Sequence, residues 1–363
     1  MIYFGLKTFL FLSYLLFLGY LLYRLKEITS FKTIKNKVIL HVFLIIIVAI
    51  SLFFMFFDTM NALVVVIHLF VFLKIYDLIY YLVKKVSKRQ FNNICPFLLT
   101  IITGIIYFSY GYYLAHHVVE TDYIIQSKKN IGVDNFRVVQ ISDSHIGATM
   151  NGHEFAKYME EINALEPDLV VITGDYVDDG TKFKDMISAT QGLGKLNAKY
   201  GVYFIFGNHD KAYFKYRNFD EERLRQELES NDVIILEDEV VEITDDIYLL
   251  GRQDSQEKKR KEAEELTNKL DKNKYIICLD HKPDDYGNEV NAGCDLVLNG
   301  HTHGGQIWPL GPISVFLGIN DAYYGKQEID DTTFIVNAGI GDWTVKFKIG
   351  TIAEYVVIDI KNK

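Results

Sequence analysis

The chain has 363 residues, more than one ordinary domain needs, and 49% of them are hydrophobic against 23% charged. Its net charge of −9 is unevenly spread: residues 1–120 hold 11 basic and 4 acidic residues, and the remainder holds 27 basic and 43 acidic ones. So acidic a second part argues against nucleic-acid binding, which needs a basic surface to release counterions from phosphates. Three cysteines, Cys95, Cys278 and Cys294, show neither a disulfide framework nor CxxC zinc spacing and read as buried free thiols.

Four apolar stretches, 2–23, 38–57, 62–83 and 94–115, each approach the roughly 20 residues that a bilayer-spanning helix needs. The first lacks a basic start and an A-x-A-like cleavage site, so it reads as a retained helix rather than a signal peptide. The loop after it carries Arg24, Lys26, Lys32, Lys35 and Lys37 against Glu27 alone. The loop between the third and fourth stretches carries Lys84, Lys85, Lys88 and Arg89 with no acid, whereas the middle loop holds only Asp58. Basic loops stay cytoplasmic. The expectation is therefore a multi-pass protein of the cell membrane with its soluble domain on the extracytoplasmic side. Lys74 and Asp77, three apart within the third stretch, are placed to pair on one helix face. His41, His68, His116 and His117 have no ligand-like neighbours and read as structural. The expected organisation is an all-α transmembrane region of four helices over 1–118, a connector over 119–136, and a soluble domain over 137–363.

Within the soluble part, 136–142 (FRVVQIS), 168–173 (DLVVIT) and 201–206 (GVYFIF) read as strands, separated by helices near 154–165 and 184–196. A helix at 220–230 is followed by short strands at 233–236, 240–243 and 247–250. The charge-dense stretch 256–272 reads as a long solvated amphipathic helix. Further strands are expected at 274–279, 295–298, 334–337 and 352–360. Early βα units followed by β-rich segments predict an α+β sandwich of mixed sheets flanked by helices.

Five of the strands hand over to short polar motifs: Asp143-Ser144-His145, Gly174-Asp175-Tyr176-Val177-Asp178, Gly207-Asn208-His209-Asp210, the lone His281, and Gly300-His301-Thr302-His303. Carboxylates, an amide and imidazoles held at strand ends are the ligand inventory of a two-metal site for phosphoester hydrolysis. Asp143 and His145 would face one side of an extended chain. Asp175 is the natural bridging carboxylate, because two cations about 3.5–4 Å apart need a shared anion. Any one fragment arises often by chance; five in this order, all at strand ends, do not.

These blocks follow the pattern D-x-H, G-D-x-x-D, G-N-H-[DE], H and G-H-x-H, and residues 137–360 thereby resemble the calcineurin-like metallophosphoesterase superfamily. Gly304-Gly305-Gln306-Ile307 and Ala338-Gly339-Ile340-Gly341 further resemble its membrane-associated bacterial branch. The resemblance implies a four-layer metallophosphoesterase sandwich and two divalent metal ions per chain, with manganese, iron and zinc all suited to the ligands. It implies one ion on Asp143, His145, Asp175 and His303, and the other on Asp175, Asn208, His281 and His301. His209 is then the catalytic acid, oriented by Asp178, and a metal-bound hydroxide attacks phosphorus in line. Asn208 would also bind the substrate phosphate, and Arg252 is a candidate substrate-binding charge. Protein phosphatases of the superfamily carry Arg directly after the second Asp of G-D-x-x-D; here Asp179 stands there, disfavouring a dianionic monoester. The expected activity is that of a membrane-anchored phosphodiesterase acting on a lipid-linked or envelope phosphoester, with membrane lipids as further partners. The alternative is a membrane sensor or transport-coupled protein with a regulatory metallophosphoesterase domain.

Overall fold

A computed structural model describes residues 12, 14–21, 23–24, 58–87, 94–211 and 216–362. They fall into two units, Met1–Gly111 and Tyr112–Lys363. The helices α1 (Thr59–Ser87) and α2 (Cys95–His116, running on into the second unit) are each long and apolar enough to cross a membrane. Of the four expected spans, these are the two found among the described residues. The stretch 38–57 lies outside them, and of 2–23 only residues 12, 14–21 and 23 are described, all helical. Asp77 does not pair with Lys74. It takes a hydrogen bond from the Tyr20 hydroxyl at 2.8 Å and an ion pair from Arg24, while the Lys74 ammonium lies 3.5 Å from the Tyr20 ring centroid. A ring face and a guanidinium thus divide the two charges between them.

The second unit opens with β1 (Val119–Gln126), where a connector was expected, and β2 (Asn135–Ile141). Then come α3 (Gly152–Asn163), β3 (Leu169–Thr173), α4 (Phe183–Leu193), β4 (Val202–Ile205), α5 (Glu221–Glu229) and β5 (Val233–Ile235). The second half holds β6 (Glu239–Thr244), β7 (Ile247–Gly251), α6 (Ala263–Thr267), β8 (Tyr275–Leu279), α7 (Tyr286–Asn291) and β9 (Leu296–Asn299). It closes with α8 (Leu310–Phe316), β10 (Gly325–Ile329), β11 (Thr332–Val336) and β12 (Glu354–Lys361). One sheet has the order β1-β12-β2-β3-β4-β5 and the other β10-β11-β9-β8-β7-β6. Both are mixed: β2, β3, β4 and β5 run parallel, as do β7, β8, β9 and β11, whereas β12 is antiparallel to β2 and β10 to β11.

Strand alternation sorts the apolar residues into layers. Val138, Leu169, Val171 and Ile205 of the first sheet are buried with Leu249, Ile277, Leu298 and Ile335 of the second. The alternate residues Val139, Val170 and Ile172 face Phe155 and Ile162 of α3, Met186 and Leu193 of α4, and Leu224 of α5. On the far side, Ile276, Cys278 and Val297 meet Ala263 and Tyr286. The result is two mixed sheets flanked by helices. Burying a Val, Leu or Ile side chain contributes roughly 1.5–3 kcal/mol, so the interleaved faces hold the strand ends in register. Cys278 and Cys294 are buried free thiols, whereas Cys95 is free but exposed.

The charged stretch 256–272 is helical only over Ala263–Thr267. Asp238 accepts hydrogen bonds from the amides of Gln253 at 3.0 Å and Lys261 at 2.8 Å, and Arg260 pairs with Asp280. The Asp238 carboxylate thus takes backbone amides that a helix would have used, and the Arg260–Asp280 ion pair pins the segment between them.

Candidate metal centre

The carboxyl ends of parallel strands are where an open αβ sheet leaves room for a ligand. Here β2, β3, β4, β8 and β9 end two or three residues before Asp143, Asp175, Asn208, His281 and His301 respectively. The chain does not stay extended through these residues. Asp143, His145, Asp175, His301 and His303 all have positive φ, at 50°, 39°, 52°, 69° and 51°. Asp143 and His145 therefore meet by left-handed turns and not by strand alternation. Such a backbone costs on the order of 1–3 kcal/mol per non-glycine residue and persists only where its surroundings over-determine it. Hydrogen bonds do that here: the Asp143 and His145 amides donate to the Gly174 and Asp175 carbonyls at 3.0 and 3.1 Å. Glycine is required where loops cross. A side chain at Gly207 would strike the Asp175 carboxylate, and one at Gly300 would strike Ser142 and Asp143.

The side chains converge in three groups, each with ligand atoms within 4.8 Å of one another: Asp143, His145 and His303; Asp175, His281 and His301; and His145, Asp178 and His209. Asp175 links them, with Oδ2 lying 3.2 Å from His281 Nε2 and 3.7 Å from His145 Nε2. Oδ1 of the same carboxylate accepts the His209 amide at 2.8 Å, and both oxygens of Asp143 accept the His301 amide at 3.0 and 2.9 Å.

The tautomers follow from the outer partners. His281 Nδ1 lies 2.8 Å from the Thr173 carbonyl, which only accepts, so Nδ1 carries a proton. Its Nε2 then turns towards the Asp175 carboxylate, and two acceptors face each other unless a proton or a cation stands between them. Burial lowers the affinity of His281 for that proton, but Asp175 more than reverses this and raises the pKa to about 10. His303 is built the same way: Nδ1 lies 3.0 Å from the Asp342 carboxylate, and Nε2 lies 3.6 Å from Asp143 Oδ1. At His145, burial first and then His303 push the pKa down to about 4, which leaves its ring neutral. Both His145 nitrogens and Asn208 Oδ1 are buried without a hydrogen-bond partner among the described residues. Buried polar atoms are otherwise satisfied. Neutral imidazole, amide and carboxylate oxygen left bare around a shared Asp are a donor set that fits divalent cations.

The third group differs in character. His209 Nδ1 lies 3.0 Å from Asp178 Oδ1. Burial works against its charge, but the bond to Asp178 and the nearby Asp175 and Asp179 raise its pKa to about 9. Its ring also stands 5.4 Å, centroid to centroid, from Trp343. Asp179 donates its amide to Asp178 Oδ1 at 2.8 Å, and burial and Asp178 together raise its own carboxyl.

Arg252 is not brought to this group. Its guanidinium is buried against Asp280, Asp285 and Glu289, with Nη1 2.9, 2.7 and 3.4 Å away, so its charge is consumed by three carboxylates. Three other residues enter to which the sequence reading gave no role. Asp342 orients His303 and is itself paired with the buried Lys348 at 3.1 Å. Asp210 accepts the amides of Tyr176, Val177 and Gly207, tying two ligand loops together. Arg217 donates to the Asp210 carbonyl and keeps Nε and Nη1 without hydrogen-bond partners among the described residues. Asp342 lies 39 residues from His303, too far for spacing to reveal it, whereas Asp210 was visible as the last letter of its motif. Asp342→Asn is expected to weaken metal binding roughly 10–100-fold, the usual cost of removing a carboxylate behind a ligating imidazole. Competition against a chelator measures it.

Two mixed sheets between helices, with Asp, Asn and His gathered at the strand ends, define a metallophosphoesterase domain. A family model for calcineurin-like phosphoesterase matches residues 136–305. A metallophosphoesterase of Aquifex aeolicus is 30% identical over 248 residues, 66% of this chain and 91% of its own length. A Caenorhabditis elegans protein named as a metallophosphoesterase is 28% identical over 327 residues, 80% of this chain. The Danio rerio "transmembrane protein with metallophosphoesterase domain" is 29% identical over 245 residues, 63% of this chain. The chain spans 64% of the length of the worm protein and 54% of the fish protein. It belongs to the calcineurin-like phosphoesterase family.

Proposed function

We propose that the chain is a membrane-anchored phosphodiesterase that works with two divalent cations and presents its catalytic domain outside the cytoplasm. Asp175 carries the reading: one buried carboxylate faces His281 at 3.2 Å and His145 at 3.7 Å, and so joins two ligand groups. Asp143, His145, Asp175 and His303 would hold one ion, and Asp175, Asn208, His281 and His301 the other. Bound there, the cations would supply the Lewis-acid charge that polarises a phosphoryl oxygen and acidifies a water. The protein's own part is positional and protonic. Asp178 engages Nδ1 of His209, leaving Nε2 to give its proton to the departing oxygen. The Asn208 amide offers hydrogen bonds to charge developing on the phosphoryl oxygens.

The diester preference is supported by Asp179, whose carboxyl beside the His209–Asp178 pair opposes a dianion more than a monoanion. Membrane anchoring is supported by α1 and α2, and the side of the membrane by the basic runs at 24–37 and 84–89. The test is the purified full-length chain with manganese, iron or zinc, offered an alkyl phosphodiester, bis-p-nitrophenyl phosphate and p-nitrophenyl phosphate. Both diesters are expected to turn over faster than the monoester; faster monoester turnover overturns the preference. His209→Ala is expected to lose about 10²–10⁴-fold on the alkyl diester. It should lose far less on bis-p-nitrophenyl phosphate, whose phenolate departs without a proton. Equal losses on the two would remove His209 from the acid role.

A further inference from the structure

Beyond residue 117 large apolar side chains are exposed one at a time among the described residues, with a single exception. Trp308, Leu310, Phe316, Leu317 and Ile319 are each more than half exposed within twelve residues, Phe316 reaching 88%. No charged residue occurs between 306 and 320. Scattered exposed apolar residues are ordinary, but a contiguous patch marks a surface that something covers.

The patch is fixed to the metal centre. The turn His303–Gly305 carries one ligand imidazole, and a side chain on Gly305 would come within 2.5 Å of the Gly311 Cα, so this turn and α8 pack backbone against backbone. Trp308 donates its amide to the Ile349 carbonyl at 2.9 Å, and Ile349 returns its amide to Gln306 at 2.9 Å. The Gln306 side chain bonds the Val345 and Phe347 carbonyls at 3.1 and 2.9 Å. The chain from His303 into α8 is therefore laced to the segment that follows Asp342 and Trp343.

What covers the patch can be read from its chemistry. Gly311 is the one buried residue of α8, so the helix is apolar and exposed on nearly all sides. A protein groove takes a one-sided stripe of anchors. A specific protein interface also carries about one hydrogen bond per 100–200 Å². The lone hydroxyl of α8, Ser314, is spent on the Gly311 carbonyl at 2.7 Å. A helix apolar all round with no hydrogen bonds to offer suits hydrocarbon, and Trp beside it suits the headgroup boundary. The chain also passes from α2, which ends at His116, to β1 at Val119, so a membrane-spanning α2 tethers this domain within two residues of a bilayer.

We propose that residues 308–319 insert into the membrane interface and seat the metal centre on the lipid surface, making its substrate a phosphoester borne by a membrane lipid. The lipid in this statement rests on the membrane and hydrolase readings above. The chain has two tryptophans, Trp308 and Trp343, so Trp343→Phe leaves Trp308 as the sole reporter. The full chain carrying that change is reconstituted into phosphatidylcholine vesicles with or without brominated acyl chains. The expected result is blue-shifted Trp308 emission, at least halved by bromolipid and untouched by aqueous iodide. Quenching by iodide alone would show a wet patch, and blue-shifted emission indifferent to both quenchers would show a patch covered by protein; either overturns the proposal.

In the otherwise unaltered chain, replacing Phe316 and Leu317 together by Ser is expected to slow hydrolysis of a vesicle-embedded diester about tenfold, with bis-p-nitrophenyl phosphate turnover unchanged. Equal losses on the two substrates, or no loss on either, overturn the assignment of a lipid substrate. Failure of the unaltered chain to float with vesicles strikes the membrane reading instead. Its failure to cleave either diester strikes the hydrolase reading.

Discussion

Asp175→Ala is expected to lower kcat/KM on bis-p-nitrophenyl phosphate at least about 10³-fold, the scale on which a site loses a principal electrostatic stabiliser. No other side chain in the centre does as much. The carboxylate is 2% exposed and accepts the His209 amide on one oxygen while the other faces His281 and His145. Burial alone would raise its pKa, yet His281, His145 and His209 hold it well below the usual carboxylate range. Its removal takes the shared anion from between His281 and His145 and frees the backbone that carries His209. Asp175→Asn keeps the volume and an acceptor for that amide but not the charge, so it should fail almost as badly. Metal content measured on both variants separates the effects: loss of one or both ions is expected. Wild-type activity with two ions retained in either variant would falsify the bridging role.

Asp210→Ala is expected to destabilise the protein by about 3–5 kcal/mol, because buried donors stripped of their partner cost roughly 1–3 kcal/mol each. Three are at stake: the amides of Tyr176 and Val177 at 2.8 and 3.0 Å from Oδ1, and that of Gly207 at 2.8 Å from Oδ2. The estimate falls below three full penalties because Asp210 is itself strained. Burial and the adjacent Asp175 raise its pKa to about 7, so its loss relieves some repulsion. Thermal unfolding in detergent measures the change. Activity should fall with stability, since the same carboxylate binds the loop of Asp175 and Asp178 to the loop of Asn208 and His209. A variant with an unshifted midpoint would show that solvent satisfies these amides.

The sequence makes the strand-to-motif junctions legible because each is local: an apolar run such as LVVIT at 169–173 stops at a glycine and an acid. The same residues conceal how the ligands meet. Spacing suggested that Asp143 and His145 share a strand face, but left-handed turns bring them together, and those depend on hydrogen bonds to Gly174 and Asp175 some thirty residues on. Long-range pairing explains the other differences. β1 alternates weakly and earns its strand from β12, more than two hundred residues away. The stretch 256–272 has helix-forming composition and is held open by Asp238 and Asp280, neither of which its own periodicity reveals. Arg252 has the right charge for a phosphate, and only its three carboxylate neighbours show that the charge is already neutralised. The uncharged run at 308–319 was in plain view, but its exposure was not.

The place of β12 in its sheet has a consequence for how the protein is made. It lies between β1 and β2, parallel to the first and antiparallel to the second. During synthesis β1 therefore has no neighbour until residues 354–361 emerge, although it is the first strand to follow α2. For the whole of that interval a strand next to a long apolar helix keeps its amides and carbonyls open to other chains, the condition under which sheet edges aggregate. Contacts so distant in sequence also form slowly. Biogenesis, more than the stability of the finished fold, is where this domain is vulnerable, and shielding of β1 in the nascent chain becomes a requirement of its assembly.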